Sequence, residues 1–303
     1  MTMSSKRGTL IVVVGPTGSG KSALAVELAK HYHAPIISTD SRQLFRGMAI
    51  GTAQPTEEEL AAATHYFIAD REVEDEFNCG RYEVEALALL ERLFAEHRYV
   101  VAVGGSGLYV QALCEGMDAL PEADDALREE LKRRLDSEGL EVLVEELRRL
   151  DPEYVEVVDR QNQARVLRAL EVCITTGERY SVLRRGAVAE RPFNIVKIGT
   201  DMPRDVLYDR INRRVDMMVA EGLVEEVRAL EPKRYLNSLQ TVGYRELFDH
   251  FDGKCSMAEA IELIKRNSRR YAKRQMTWFR RDSSIAWFSP SAIEEIINYI
   301  DAK

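Results

Sequence analysis

Eight residues near the N-terminus, Gly15-Pro16-Thr17-Gly18-Ser19-Gly20-Lys21-Ser22, have the types and spacing that hold a phosphate chain. The glycines let backbone amides converge on phosphate oxygens, and the start of the following helix adds its positive end. Lys21 supplies a full charge, and the Ser22 hydroxyl is suited to ligate Mg²⁺. Such a loop selects a ligand class and not a reaction. Kinases, NTPases and transferases that expel diphosphate all satisfy it.

Three further groups can add chemistry. Asp40-Ser41-Arg42-Gln43 closes the second predicted strand. A carboxylate there can bind Mg²⁺ through water or act as a general base, although by itself it reads first as a turn or cap aspartate. Arg210 and Arg214 stand four residues apart on one helix face, beside an apolar stripe of Leu207, Ile211, Val215 and Met218. Near the C-terminus Lys265, Arg269 and Lys273 repeat at i, i+4, i+8, as do Arg266, Arg270 and Arg274, with no acid interleaved. Ile261, Ile264, Tyr271 and Trp278 fall opposite, which predicts an apolar seam and an outward face of six cations. In a chain of net charge −8, that concentration favours phosphate binding.

The elements needed to position these groups are legible in the pattern. Strands are predicted at 9–14, 35–39, 65–69 and 99–103, with helices at 22–30 and 82–97 between them. Each strand ends in small or polar residues, the last in Gly104-Gly105-Ser106-Gly107. Ligands bind at the carboxyl ends of strands in such α/β sheets. From Pro121 to about Arg191 only charged helical segments occur (125–137, 141–150, 163–176), punctuated by Asp151-Pro152 and Gly177. A strand returns at 194–200, then helices at 203–220 and 256–281, a strand at 285–288 and a helix at 293–300. The expected fold class is α/β, a P-loop NTPase-like parallel sheet with flanking helices and an all-helical insertion. The expected division is 1–120 with 192–303 for the core and 121–191 for the insertion.

The 303 residues, 45% hydrophobic and 30% charged, are those of an ordinary globular protein. No apolar run is long enough to span a bilayer and no leader follows Met1, so the chain reads as cytoplasmic. Cys79, Cys114, Cys173 and Cys255 are too scattered for a zinc knuckle or a disulfide framework.

The strings GPTGSGKS, DSRQLFRGMAIGTAQP (40–55) and GGSGLYV (104–110) resemble the tRNA dimethylallyltransferase, or isopentenyl-diphosphate:tRNA transferase, family. RALEVCITTG (168–177), LYDRINRRVDMMVAEGLVEEV (207–227), VGYREL (242–247) and RRYAKRQMTWFR (269–280) extend the resemblance in the family's order, from about residue 9 to residue 281. Phe45, Gln54, Ser106 and the string 159–162 depart from the usual pattern, whereas the phosphate loop and Asp40 do not. The resemblance implies a P-loop domain whose helical insertion grips the anticodon stem-loop of tRNA. It implies dimethylallyl diphosphate as prenyl donor, Mg²⁺ as cofactor, and N6 of the adenosine at tRNA position 37 as acceptor.

Under that resemblance Asp40 is the base, with Thr17 beside it, and Arg214 clamps the diphosphate. Residues 15–22 with Arg210 and Arg214 form the diphosphate site, and Ser22 is the metal ligand. The implied RNA contacts are Asp40, Ser41, Arg42, Gln43, Ser106, Arg128, Gln161, Asn162, Gln163, Ala164 and Arg165. They continue with Gln240, Thr241, Val242, Gly243, Tyr244, Arg245, Lys273 and Arg274. The target base must leave its stack to be modified. Nothing demands more than a monomer. The alternatives are an adenylate isopentenyltransferase or small-molecule P-loop kinase, and a non-catalytic RNA-binding protein regulated by a nucleotide.

Overall fold

The computed structural model describes residues 8–118, 120–121, 124–186 and 188–303. Its strands are β1 (Thr9–Val14), β2 (Ile36–Ser38), β3 (His65–Tyr66), β4 (Tyr99–Gly104), β5 (Asn194–Thr200) and β6 (Ala286–Phe288). They form one sheet in the order β3-β2-β4-β1-β5-β6, every pair parallel. The chain runs outward from β1 in one direction and later in the other, so the loop after β1 lies at the switch of strand order, where a ligand crevice opens.

Two compact units are present, one reaching Glu115 and resuming at Glu190, the other from Gly116 to Ala189. In the first, α1 (Lys21–Tyr32), α2 (Ala49–Thr52), α3 (Glu57–Ala62), α4 (Cys79–Glu96) and α5 (Gly107–Glu115) accompany the early strands. The second consists of α6 (Asp125–Glu138), α7 (Leu140–Leu150), α8 (Pro152–Val157), α9 (Gln163–Thr176) and α10 (Tyr180–Leu183). The first then continues with α11 (Arg204–Ala220), α12 (Leu223–Leu230), α13 (Tyr244–Phe251), α14 (Met257–Phe279) and α15 (Ile293–Asp301).

Strand β1 is apolar without alternation because both of its faces are covered. Leu10, Val12 and Val14 join Leu90, Leu93, Leu247 and Phe248 on one face. Ile11 and Val13 join Leu24, Leu28, Ile296 and Ile300 on the other. The second unit has its own core around Leu131, Leu143, Leu147, Val155, Val166 and Leu170. Its buried Glu171 meets the guanidinium groups of Arg128 and Arg168. Among the described residues, no helix is long and apolar enough to cross a membrane, and all four cysteines are free.

The third strand is shorter than its β-rich run predicts. Phe67 and Ala69 take left-handed backbone (φ 61° and 47°), and Ala69 N–H donates to Gln43 O, so this segment leaves the sheet to brace the chain beyond Asp40. Helices α12 and α13 escaped the pattern reading; Gly222, at φ 105°, separates α12 from α11.

The phosphate loop is pinned from beneath. Ser19 and Thr200, both fully buried, share a hydroxyl–hydroxyl hydrogen bond of 2.6 Å, and the Thr200 hydroxyl also donates to Val14 O at 3.3 Å. Thr200→Val strands the Ser19 hydroxyl and is expected to cost about 1–3 kcal/mol in urea unfolding, with Thr200→Ser close to wild type.

Candidate functional site

Gly18 and Gly20 hold φ of 80° and 90°, a left-handed conformation that glycine adopts without steric cost. The turn they make delivers the chain into α1 with no side chain capping its first amides, which leaves them for an anion. Lys21 opens the helix. Its ammonium lies 3.5 Å from Pro16 O. Burial, followed by the repulsion of Arg214, pulls its pKa down to about 8, while Asp40 opposes the shift.

A cavity of about 320 Å³ lies above the loop, lined by Thr17, Lys21, Ser22, Asp40, Ser41, Arg42, Gln43 and Arg214. Gln240, Thr241, Val242, Gly243, Arg245 and Arg274 close its far side. The carboxyl end of β2 presents Asp40, whose Oδ1 accepts from the backbone amides of Arg42 (2.9 Å) and Gln43 (3.4 Å). Its Oδ2 has no hydrogen-bond partner among the described residues. Burial lowers the pKa of both Arg42 and Arg214; Tyr109 and Asp40 oppose the shift at Arg42, and Asp40 and Glu59 oppose it at Arg214. Neither guanidinium has an ion-pair partner among the described residues. Three cations therefore surround one carboxylate, an arrangement complementary to a polyanion. Ile211, Val215, Met218, Leu223 and Ile264 add apolar surface to the lining, beside Thr52, Ser268, Tyr271 and Gln275.

Several expected site residues lie elsewhere or are already engaged. Tyr244 is fully buried, and its hydroxyl donates to Glu226 Oε1 at 2.6 Å. Gln43 donates to Thr52 O and Ala53 O and accepts from Ser38 Oγ, so its carboxamide braces the loop. Ser106 does not line the cavity; its hydroxyl accepts from Ser41 N at 2.9 Å. Arg210 lies beside Gly20, outside the cavity lining. In the second unit Arg128 meets Glu171 at 3.2 Å, and Asn162 caps α9 by accepting from Arg165 N at 3.2 Å. Gln161, Gln163, Ala164 and Arg165 are exposed.

The basic helix differs from the six-cation face predicted for it. Lys265 is paired with Asp216 of α11 (2.7 Å) and with Glu262 (3.2 Å), and Arg269 donates to Asn212. Both point toward α11 because its packing against α14 takes up that side. Arg266, Arg270, Lys273 and Arg274 remain exposed. Of the opposite set, Ile264 is buried, Tyr271 lines the cavity, and Trp278 is partly exposed beside Gly107.

Sequence reasoning missed Gln275, which bonds to the phosphate loop, and Glu226, which accepts from Ile50 N, Gly51 N and Tyr244. A polar residue at a buried helical phase was the available signal for Gln275.

Donor chemistry is compatible with Mg²⁺. Among the described residues no group of three or more His, Cys, Asp or Glu could cage a metal. Mg²⁺ needs no such cage, since it keeps waters and binds one or two protein oxygens with substrate phosphates. The Ser22 hydroxyl beside Lys21, with Asp40 across the same cavity, is such a set.

The sequence profile of the IPP transferase family matches residues 43–282. The tRNA dimethylallyltransferase of Cytophaga hutchinsonii is 51% identical over 97% of this chain and 97% of its own. The tRNA dimethylallyltransferase 1 of Phocaeicola vulgatus is 49% identical over 96% and 97%. The crystal structure of the full-length tRNA isopentenylpyrophosphate transferase from Bacillus halodurans aligns with a TM-score of 0.73 at 40% identity, covering 97% of this chain and 96% of that one.

The depressed Lys21 pKa has a measurable consequence. Lys21 sheds its proton as pH rises through about 8, and binding of an anion beside it favours the protonated form. Inorganic diphosphate affinity, taken as the ratio of wild type to Lys21→Arg, should fall by about tenfold per pH unit above 8.5. Calorimetry from pH 7 to 9.5 measures it, and the ligand's own titration cancels in the ratio.

Proposed function

The chain belongs to the IPP transferase family and is a prenyl transferase acting on tRNA, and from that premise we propose that it moves a dimethylallyl group from dimethylallyl diphosphate to N6 of adenosine 37. The observation that carries this reading is the composition of one cavity. Lys21, Arg42 and Arg214 line it together with Asp40, and Ile211, Val215, Met218, Leu223 and Ile264 add apolar surface. A diphosphate bearing a short hydrocarbon tail matches both.

In this mechanism the loop amides, Lys21 and Arg214 hold the diphosphate. They favour the negative charge that grows on it as the allylic C1–O bond loosens. The apolar surface lodges the five-carbon group and keeps water from the electron-poor carbon. The exocyclic amine of adenine is a weak nucleophile, because its lone pair is delocalised into the ring. Asp40 accepts its proton as the C–N bond forms, and Thr17 stands beside both groups. Mg²⁺, held through Ser22, would add charge neutralisation at the leaving diphosphate.

The acceptor RNA is proposed to lie along the exposed row Arg266, Arg270, Lys273 and Arg274, with Ser41, Arg42, Gln240, Thr241, Val242, Gly243 and Arg245 around the extruded base. The second unit, through Arg128 and residues 161–165, is proposed to grip the anticodon stem-loop. The protein acts as a monomer, and its work lies in the cytoplasm with its tRNA substrate.

Asp40→Ala should lower the single-turnover rate by about 10²–10⁴-fold while tRNA affinity stays within a few-fold. An unchanged rate would remove Asp40 from the chemistry. Labelled dimethylallyl diphosphate offered with unmodified tRNA, AMP or ATP should label tRNA alone. The salt dependence of tRNA binding tests the basic row. Each of Arg266→Ala and Arg270→Ala should flatten the slope of log K against log salt by about one, and an unaltered slope would take these residues off the RNA backbone.

A further inference from the structure

Gln275 is almost fully buried on α14, at 5% exposure, and is hydrogen-bonded to two loops at once. Its Oε1 accepts from Thr17 N at 2.9 Å, and its Nε2 donates to Gly105 O at 2.9 Å. The fit is close, since a Cβ on Gly105 would collide with Gln275 Nε2. Tyr271, one turn earlier on the same helix, lies beside Ser106, and the Ser106 hydroxyl accepts from Ser41 N. One helix thus touches the loops after β1 and β4 directly and the loop after β2 through Ser106.

The Thr17 amide belongs to the same peptide plane as the Pro16 carbonyl. That carbonyl accepts from Ser19 N at 3.2 Å and from the Lys21 ammonium at 3.5 Å. A peptide plane is rigid, so fixing its N–H fixes the direction of its C=O. Gln275 therefore sets a backbone dipole at the mouth of the phosphate loop and the resting place of Lys21, with its carboxamide committed to the two loops. An apolar side chain here would leave the Thr17 N–H and Gly105 O without partners, and the plane would be free to turn toward another acceptor.

We infer that Gln275 is a positioning residue for the phosphate loop: through the Pro16–Thr17 peptide it holds the loop amides and Lys21 in the arrangement that receives a diphosphate. The inference rests on the proposed use of that loop for the diphosphate of the prenyl donor. It adds a residue that acts on donor affinity from the helix carrying the exposed basic row.

The test is calorimetric binding of inorganic diphosphate to the full-length protein without RNA, followed by steady-state transfer. Gln275→Met should weaken diphosphate binding by about tenfold and raise the KM for dimethylallyl diphosphate similarly, with kcat and tRNA affinity within about threefold of wild type. A diphosphate affinity within twofold of wild type would overturn the inference. So would an equal loss of tRNA affinity, which would mean a general loosening of α14. Gln275→Glu is the second variant. Its carboxylate can accept from Thr17 N but cannot donate to Gly105 O until it is protonated. Its deficit relative to wild type should shrink as pH is lowered from 8 to 5.5, and a constant ratio would count against the role even if Gln275→Met fails to fold. Failure of the wild-type protein to bind diphosphate would instead overturn the reading on which the inference rests.

Discussion

Lys21 and Arg214 repel one another across a cavity that offers Asp40 as counter-charge, and the protein has to hold them there against that repulsion. A buried cation without a partner is costly, so the surrounding structure must prevent the collapse that would relieve it. Arg214 is held by α11, whose Leu207, Ile211 and Val215 are buried. Lys21 is held at the first turn of α1, behind a loop fastened to β5 by the Ser19–Thr200 hydroxyl pair. Asp40 is kept from swinging onto a cation by the two backbone amides that bind its Oδ1. The unrelieved positive charge is then available to a ligand, which gains what the fold withholds.

The same requirement accounts for side chains that face the site but are not free. Gln43 ties the segment after Asp40 to the carbonyls of Thr52 and Ala53, and Glu226 holds the next amides, Ile50 and Gly51, against α12 and α13. Tyr244 belongs to that bracing through its bond to Glu226. Polar residues in a motif therefore divide into those that meet ligand and those that keep the first set in position. Sequence order alone does not separate the two groups. The helix α14 shows the same division along its length: Lys265 and Arg269 are spent on α11, whereas Arg266, Arg270, Lys273 and Arg274 stay exposed.

Local sequence was sufficient wherever the physical cause is local. The phosphate loop was legible from Gly15 to Ser22 because glycine geometry, a helix start and a lysine act within eight residues. The buried strands β1 and β4 were legible because continuous apolar runs follow from covered faces, and α9 because its apolar residues recur on one helix face. Tertiary structure decided the rest. The end of β3 depends on Ala69 finding Gln43 O, and the fate of Lys265 depends on Asp216, which lies 49 residues away. The role of Gln275 depends on Thr17, 258 residues earlier. Hydrogen bonds and ion pairs between distant segments leave no period in the chain, so only folding showed which charges were neutralised and which were left for a ligand.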